Sequence, residues 1–410
     1  GNLDYVSGWY KKAADYMLSA GVEGFEASSG TKGKSVRAAL VSTNSVCQGE
    51  AVAALWKPLG ESGVHIDFAY RTFRWDSEAS QKAHVHCVIV GFSTTCGSSE
   101  YFIVDETGTR RKAAHINAYL LDAEDVFIES RTKPLCDVPE IGIGNQPIDG
   151  GFYLFSEEEM LAFVKKEPTS SRWFRPFYGS YEFINRKPRY CLWLGACSPN
   201  VLRSMPECMK RVQAVRDFRL ASTRASTLKL ADSPTHFQVE NMPDSNYIVI
   251  PSVSSEKRRY IPMGMLSPDD LSSNLVLIIP SATLFHFGVL ESSVHMAWMR
   301  AVCGRLKSDY RYSKDIVYNN FPWPDASEIQ KEGISRTAQA VLDARALYPE
   351  CSLADLYDEL TMPPELRKAH RDNDFVVLKA YGFPEDASEP DIVSELFSMY
   401  QNFCNNLKKV

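Results

Sequence analysis

The chain has 410 residues, of which 44% are hydrophobic and 23% charged, and its formal net charge is −6. This composition is that of an ordinary soluble globular protein, and the length allows two or three domains. No apolar run approaches the roughly 18 residues that span a bilayer, and no signal-peptide pattern opens the sequence. We therefore expect a cytoplasmic protein that has no membrane partner.

The cysteines and the charges bear on whether the protein binds a metal ion or a nucleic acid. Ten cysteines are scattered along the sequence without a CxxC pair, which predicts reduced thiols and no metal site. The negative net charge argues against nucleic-acid binding by bulk electrostatics. However, basic residues gather in 172–189, 210–229, 257–259 and 300–314, so a basic cleft on an acidic body is expected.

The first part of the sequence alternates helical and extended patterns. The spacing of apolar residues predicts helices at Leu3–Ala20 and Gln48–Leu59 and strands at Arg37–Thr43, Val64–Tyr70 and His84–Phe92. This order is typical of the closing half of a doubly wound α/β sheet. The chain begins at Gly1 and has no strand that ends in a Gly-rich turn, so we expect the cofactor-binding half upstream.

The middle of the sequence is irregular, with frequent Pro and Gly. We predict an extended segment at Asn117–Leu121, a helix capped by Ser156 and Glu159, and buried strands at Tyr247–Pro251 and Leu275–Pro280. Helical patterns return after Pro324, at Leu353–Leu360, Asp374–Ala380 and around Ile392–Phe403. The predicted domains are an α/β segment at 1–115, an α+β domain at 116–325 and a helical subdomain at 326–410.

The segment RLKSDYRYSKDIVYNNFPWP, from Arg305 to Pro324, combines cations, one early aspartate and several aromatic rings. Arg and Lys donate to guanine or phosphate, Asp accepts from cytosine, and aromatic rings pack on bases or sugars. Such a mixture is suited to reading a base pair. A solvated loop followed by a Pro-punctuated turn is the alternative.

This segment resembles the end of the target-recognition domain of MmeI-like type IIG restriction-modification enzymes. The resemblance recurs, in family order, in the blocks FRWDSEASQKAHVHCVIVGF, GNQPIDGG, RPFYGSYEFINRKPRYCLWL, RVQAVRDFRLASTRA and LADLYDELTMPPELRKAH. It implies the C-terminal portion of a DNA adenine-N6 methyltransferase that binds double-stranded DNA and uses S-adenosyl-L-methionine. Two alternatives stay open: a methyltransferase of a non-cleaving phage-defence system, or a DNA-binding specificity module without activity.

The resemblance also assigns roles near the catalytic sheet. Enzymes of this class place an aromatic ring against an extruded base, which points to Phe73 or Trp75, although both rings can instead pack at the sheet edge. Asn44, at the end of a predicted strand, either lines the same site or belongs to a simple turn. The family's Asn/Asp-Pro-Pro-aromatic motif and Gly-rich cofactor loop are missing, so no complete catalytic set and no cofactor site are expected here. The chain by itself is expected to be inactive.

Base reading is assigned to Lys307 and Asp309. On an extended segment, residues two apart point the same way, so a lysine and an aspartate together could read one G:C pair. A local ion pair is the alternative. Further predicted base contacts are Arg311, Ser254, Ser255, Arg258 and Arg259, and predicted contacts to the DNA backbone are Arg172, Arg175, Arg186, Lys187 and Lys314. Any nuclease domain of the parent protein is expected outside this chain.

Overall fold

The structure is a computed structural model that describes residues 3–22, 36–76, 84–94 and 100–407. The helices of these residues, in chain order, are α1 Ser7–Val22, α2 Glu50–Glu61, α3 Glu157–Lys166, α4 Ser180–Asn185, α5 Pro199–Arg203, α6 Pro206–Leu220, α7 Ala225–Leu230, α8 Leu284–Leu290, α9 Ser293–Val302, α10 Glu328–Ala346, α11 Leu353–Leu356, α12 Pro364–Tyr381 and α13 Glu389–Leu407.

The strands are β1 Arg37–Thr43, β2 His65–Asp76, β3 His84–Ser93, β4 Phe102–Val104, β5 Arg110–Lys112, β6 Gly142–Ile143, β7 Leu154–Phe155, β8 Phe174–Tyr178, β9 Arg189–Leu192, β10 Tyr247–Pro251, β11 Val253–Ser254, β12 Gly264–Leu266, β13 Leu271–Ser272, β14 Val276–Ile279, β15 Gly304–Leu306 and β16 Asp309–Arg311.

The chain divides into two compact units. The first unit comprises Gly1–Asp137, Ser293–Asp325 and Tyr381–Val410, and the second comprises Val138–Ser292 and Ala326–Ala380. Each unit is thus assembled from segments that are far apart in sequence. The predicted domain limits, at residues 115 and 325, divide the sequence into consecutive segments and stay a prediction.

The first unit contains a sheet with the strand order β1-β3-β2-β4-β5. Both β1 and β2 pair antiparallel with β3, so they run in the same direction, and α2 connects them along the chain. A strand, a helix and a strand of the same direction form the unit from which doubly wound sheets are built. The predicted fold class, a partial α/β sheet followed by an α+β region and C-terminal helices, is confirmed.

Aromatic packing joins α1 and α2 to this sheet. The ring of Tyr10 stacks on Phe92 with centroids 5.4 Å apart and meets Trp56 edge-on at 5.5 Å. Its hydroxyl is hydrogen-bonded to Ser42 Oγ over 2.9 Å. Because Ser42 is the penultimate residue of β1, this contact fixes the end of β1 that precedes Asn44.

The second unit contains two further sheets, with strand orders β12-β10-β14-β6 and β13-β8-β9-β7. The predicted capping box of α3 is confirmed: Glu159 N donates to Ser156 Oγ over 3.2 Å, and Ser156 N donates to Glu159 Oε2 over 2.8 Å. Arg219 of α6 is fully buried and donates five hydrogen bonds to backbone carbonyls of residues 147–148 and 230–236. It therefore holds loops together inside the protein.

A second buried arginine organises the packing of α10. Arg345 donates to Glu291 Oε1 over 2.8 Å, to the hydroxyl of Tyr357 and to the carbonyl of Met263. The Tyr357 hydroxyl is also hydrogen-bonded to His370 Nε2 over 2.7 Å. Burial raises the pKa of Glu291 to about 7 although Arg345 lies beside it, and burial lowers the pKa of His370 well below its ordinary value. These groups form one buried polar cluster.

One predicted element was wrong, and two predicted helices had wrong limits. Asn117–Leu121 is a tight turn, because Asn117 Oδ1 accepts hydrogen bonds from the backbone of Tyr119 and Leu121, and Leu120 has a positive φ of 59°. An Asn side chain that binds its own backbone competes with an extended conformation. The predicted helix Leu353–Leu360 ends at Leu356, and the predicted Asp374–Ala380 is only the last part of α12.

Candidate functional site

A short hairpin carries the residues predicted to read bases. Strands β15 and β16 pair antiparallel, with Leu306 opposite Asp309, so Lys307 and Ser308 form the turn. Lys307 has φ 58°, a left-handed conformation that lysine seldom adopts. The expectation of an extended segment at this point was therefore wrong, because the turn interrupts the strand alternation that would point Lys307 and Asp309 the same way. Their relative placement is set by the turn.

Arg305 holds this turn from within. Its Nη1 donates to the carbonyl of Ser308 over 2.9 Å, and its guanidinium lies 4.3 Å from the ring centroid of Tyr310, the residue opposite on β16. Tyr310 is buried, whereas Lys307 and Arg311 are exposed. The hairpin thus has a fixed inner side and a cationic outer side.

A cleft of about 670 Å³ lies beside the hairpin, within the first unit. Its lining brings Asn44, from the end of β1, together with Lys307 and Arg311. The other lining residues are Asp4, Thr43, Ser45, Gln48, Gly49, Glu50, Ala51, Val85, His86, Gly304, Arg305, Ser313 and Ile316. Residues predicted for the base pocket and for base reading, about 260 positions apart in sequence, therefore meet at one cleft.

A close approach of backbones builds the wall of this cleft. Gly49, with φ 57°, donates to the carbonyl of Val302 over 3.2 Å, and a Cβ placed on Gly49 would lie 3.3 Å from the backbone of Gly304. Both the conformation and the space favour glycine. The loop before α2 is thereby fixed against the first residue of β15.

Asn44 is 6% exposed and begins a 3₁₀ turn directly after β1. Its Nδ2 lies 3.5 Å from Thr72 Oγ1. It also lines a second polar cavity of about 380 Å³, together with Arg71, Arg300 and Arg305. Asn44 therefore lies where the two cavities meet, and it is not a residue of an exposed turn.

Phe73 and Trp75 lie on β2, with ring centroids 6.3 Å apart. The pairing of β2 with β3 shifts register between Tyr70 and Phe73, which is a β-bulge next to Thr72. Bulges re-aim side chains and are frequent beside active sites. Trp75 is 55% exposed, so its ring is open to a partner. Neither ring is among the described residues that line the cleft.

The remaining part of the recognised segment builds the core. The amides of Asn319 and Asn320 donate to the carbonyls of Arg131 and Glu129, respectively. Lys314, predicted to grip the DNA backbone, is paired with Asp315 over 2.5 Å. The sequence interpretation missed this structural role, which the concentration of Asn, Pro and aromatic residues in VYNNFPWP could have indicated.

The predicted cluster at Ser254 lies in the second unit. Ser254 ends β11 and is 2% exposed, whereas Arg259 is exposed and lies 5.6 Å from the ring of Tyr260. Arg258 N donates to the carbonyl of Ser255 over 3.1 Å, which closes a tight turn. Thus the turn presents Arg259 to solvent and keeps Ser254 inside.

The predicted backbone-binding cations of the second unit fall into two groups. Arg172 and Lys187 are exposed. Arg175 forms an ion pair with Asp269, and Arg186 donates to the carbonyls of Tyr348 and Pro349 over 2.9 and 3.2 Å. Partial burial, reinforced by the nearby Arg345 guanidinium, lowers the pKa of Arg186. Arg186 thus stabilises the fold.

The described residues contain no cluster of three or more His, Cys, Asp or Glu side chains placed to hold a metal ion. None of their helices combines the length and the apolar character that crossing a bilayer requires.

Comparison with known proteins adds three family matches. The MmeI DNA-methyltransferase domain matches residues 1–104, the MmeI target recognition domain matches 122–325, and the MmeI C-terminal domain matches 326–408. The matches are consecutive and together span nearly the whole chain.

Two individual proteins are similar over almost the full chain. "DNA methyltransferase A" of Bacillus subtilis (strain 168) is 40% identical over 97% of the chain and 44% of its own length. The solved structure of the type IIL restriction-modification enzyme MmeI in complex with DNA is 42% identical, covers 98% of this chain and 53% of its own, and has a TM-score of 0.86. The chain therefore spans about half the length of these relatives.

Proposed function

Because the chain belongs to the MmeI family of restriction-modification enzymes, we propose that it supplies DNA target recognition and part of the target-base pocket to a site-specific DNA adenine-N6 methyltransferase. The observation that carries this proposal is the cleft at which Asn44 meets Lys307 and Arg311. Asn44 follows the carboxyl end of a sheet strand, and two exposed cations of a separate segment lie at the same cleft. An enzyme that binds a duplex and extrudes one base needs such an arrangement.

The hairpin reads one base pair in this proposal. Lys307, exposed on the turn, donates to guanine O6 or N7, and Asp309 accepts from N4 of the paired cytosine. Arg311 binds a base edge or a phosphate beside them. This reading does not need the two side chains to share one strand face, since the turn itself presents both near its tip.

The target base is held from β2 and β1. Trp75 or Phe73, exposed or half-buried on β2, stacks on the extruded adenine, and Asn44 contributes from the cleft. S-adenosyl-L-methionine supplies the methyl group in this class of reaction. No residue of this chain is assigned to that cofactor, because the sequence contains neither the Gly-rich loop nor the Asn-Pro-Pro-aromatic motif.

The partner is double-stranded DNA in an enzyme of type IIG organisation, in which methylation and recognition share one cytoplasmic polypeptide. Arg172, Lys187 and Arg259 are exposed and contact phosphates or bases, as cations of DNA-binding surfaces do. Any cleavage belongs to a nuclease domain elsewhere in that polypeptide. A methyltransferase that does not cleave is the second candidate, favoured by the Bacillus subtilis relative, whose name states methylation only.

The test exchanges the two reading charges. In the intact protein, Lys307→Asp combined with Asp309→Lys should reverse the donor and acceptor and change the preferred base pair at one position of the methylated site. Discrimination at that position is worth about 1–3 kcal/mol, and the other positions should keep their preference. Sequencing of modified adenines in a host genome measures both the site and the modified base.

The exposed pair Lys368 and Asp372 of α12 offers a matched control, because it is a Lys-Asp ion pair whose charges can be exchanged in the same way. That double variant should methylate the original site. An unchanged site after the Lys307 and Asp309 exchange would show that the pair is structural.

Incubation of unmodified DNA with the intact protein separates a cleaving enzyme from a methyltransferase that does not cleave.

A further inference from the structure

The turn of the hairpin has to be held in one conformation if Lys307 is to read a base. Lys307 is exposed and lies in the left-handed region, with φ 58°, on a turn of two residues. A lysine is not favoured in that conformation, and its side chain is long and flexible. A turn with only these features would sample several arrangements, and each would present a different donor position to the DNA.

Arg305 is the residue that removes this freedom. One guanidinium nitrogen, Nη1, donates to the carbonyl of Ser308, which is the second residue of the turn. The guanidinium also lies 4.3 Å from the ring centroid of Tyr310. A single side chain thus ties the first strand both to the turn and to the opposite strand.

The base of the hairpin is anchored independently. Tyr312, which follows β16, is 3% exposed, and its hydroxyl is hydrogen-bonded to Nε2 of the fully buried His295 over 2.9 Å. At the other strand, Gly49 approaches the backbone of Gly304. Since these contacts fix the ends of both strands, the tip is the part whose conformation depends on Arg305.

We propose that Arg305 is a positioning residue for base reading, which sets the selectivity of the enzyme at one base pair by holding Lys307 and Asp309 in place. This inference rests on the proposed function of the hairpin. Arg305 acts through these two residues, and its loss affects the base pair that they read, while the other positions of the site are read elsewhere.

Lysine cannot replace Arg305 in this role. The contact needs a planar group that donates to a carbonyl and at the same time lies over an aromatic ring, whereas an ammonium is a compact point charge. Arg305→Lys therefore preserves the charge next to the cleft and removes the geometry. The variant separates positioning from electrostatic attraction of DNA.

The experiment compares three variants of the intact protein on a DNA library in which each position of the site is varied. They are Arg305→Lys, the Lys307 and Asp309 exchange, and Arg110→Lys. Arg110 is a matched control, because its guanidinium also lies over a ring, that of Phe102 at 3.9 Å, on β5, an edge strand that pairs with β4 and belongs to a different sheet from β15 and β16. The measured quantity is the ratio of methylation between base pairs at one position, which does not depend on the amount of folded protein.

We expect Arg305→Lys to reduce that ratio about ten-fold at one position only, within the range of a base contact, and Arg110→Lys to leave every position unchanged. The affected position should be the one whose preference changes in the charge exchange. If the exchange changes the preferred base and Arg305→Lys retains full selectivity, the positioning role is wrong and the proposed function stands. If neither variant alters the site, both are wrong. An equal loss of selectivity at all positions would also overturn the positioning role, because it would show general damage.

Discussion

The buried cluster of the second unit and the hairpin of the first each contain an arginine that makes internal contacts, but they differ in what lies beside that arginine. Arg345 is 5% exposed and directs its donors to Glu291, Tyr357 and a carbonyl, so its hydrogen bonds are made within the protein. In the hairpin, Arg305 makes the internal contacts, and Lys307 and Arg311 are exposed beside it. The difference teaches that basic residues must be sorted by their partners: the donors of Arg345 are engaged inside the protein, whereas the exposed Lys307 and Arg311 are candidates for binding.

The largest effect is expected where the buried cluster is broken. Arg345→Met should lower the free energy of unfolding by about 3–5 kcal/mol, because it leaves the buried carboxyl of Glu291 without its cationic partner. Arg367→Met is the matched control on α12, since Arg367 forms an exposed ion pair with Glu359 and should cost less than about 1 kcal/mol. Urea unfolding measures both. Equal losses would mean that the cluster does not differ from a surface ion pair.

A smaller effect should appear in the pH dependence of the same cluster. The pKa of Glu291 is raised by burial from 4.5 to about 7, so between these values the folded state binds more protons than the unfolded state. Stability contributed by Glu291 is therefore fully present below pH 4.5 and declines as the pH rises to 7. Relative to Glu291→Gln, the native protein should lose about 1 kcal/mol or more across this window. Glu359→Gln keeps Glu291, so its difference in stability from the native protein should stay constant across the window. Parallel stability curves for Glu291→Gln and Glu359→Gln would contradict the assignment.

The smallest loss of stability is expected at the exposed Trp75 of β2, in the first unit. Trp75→Ala should change the free energy of unfolding by less than about 1 kcal/mol, because the side chain is 55% exposed. Methylation by the intact protein should nevertheless fall about 10- to 100-fold, since stacking on a base is worth about 1–3 kcal/mol. Trp9→Ala on α1, at 52% exposure, is the control and should methylate normally. Full turnover of Trp75→Ala and of Phe73→Ala would show that neither ring holds the base.

Sequence patterns were sufficient where local chemistry decides the conformation. Arg37–Thr43 and Tyr247–Pro251 are strands with the predicted limits, and the Ser156 capping box forms as expected. Short apolar runs and a capping pair carry their own conformational preference along the chain. The turn at Asn117 was missed because a single side chain overrides that preference through hydrogen bonds to its own backbone.

Predicted cations could not be sorted by sequence. Arg186 and Arg259 both lie in basic stretches, yet Arg186 donates to carbonyls of the loop at Tyr348 and Pro349, and Arg259 is exposed. The partners of Arg186 are about 160 residues away in the chain, so no local pattern reports them. Likewise, nothing near Lys307 in the sequence indicates that its backbone has a positive φ.

The sequence by itself determined the family of this protein and the class of its fold, because motifs and apolar periodicity are local properties. It also supplied the residues that we propose to read and hold a base. Only the tertiary structure decided that Asn44 shares a cleft with Lys307 and Arg311, and that Arg345 and Arg219 are interior supports. The physical reason is that segments distant in the chain bury a charged side chain and supply its hydrogen-bond partners. These segments come together only when the whole unit packs.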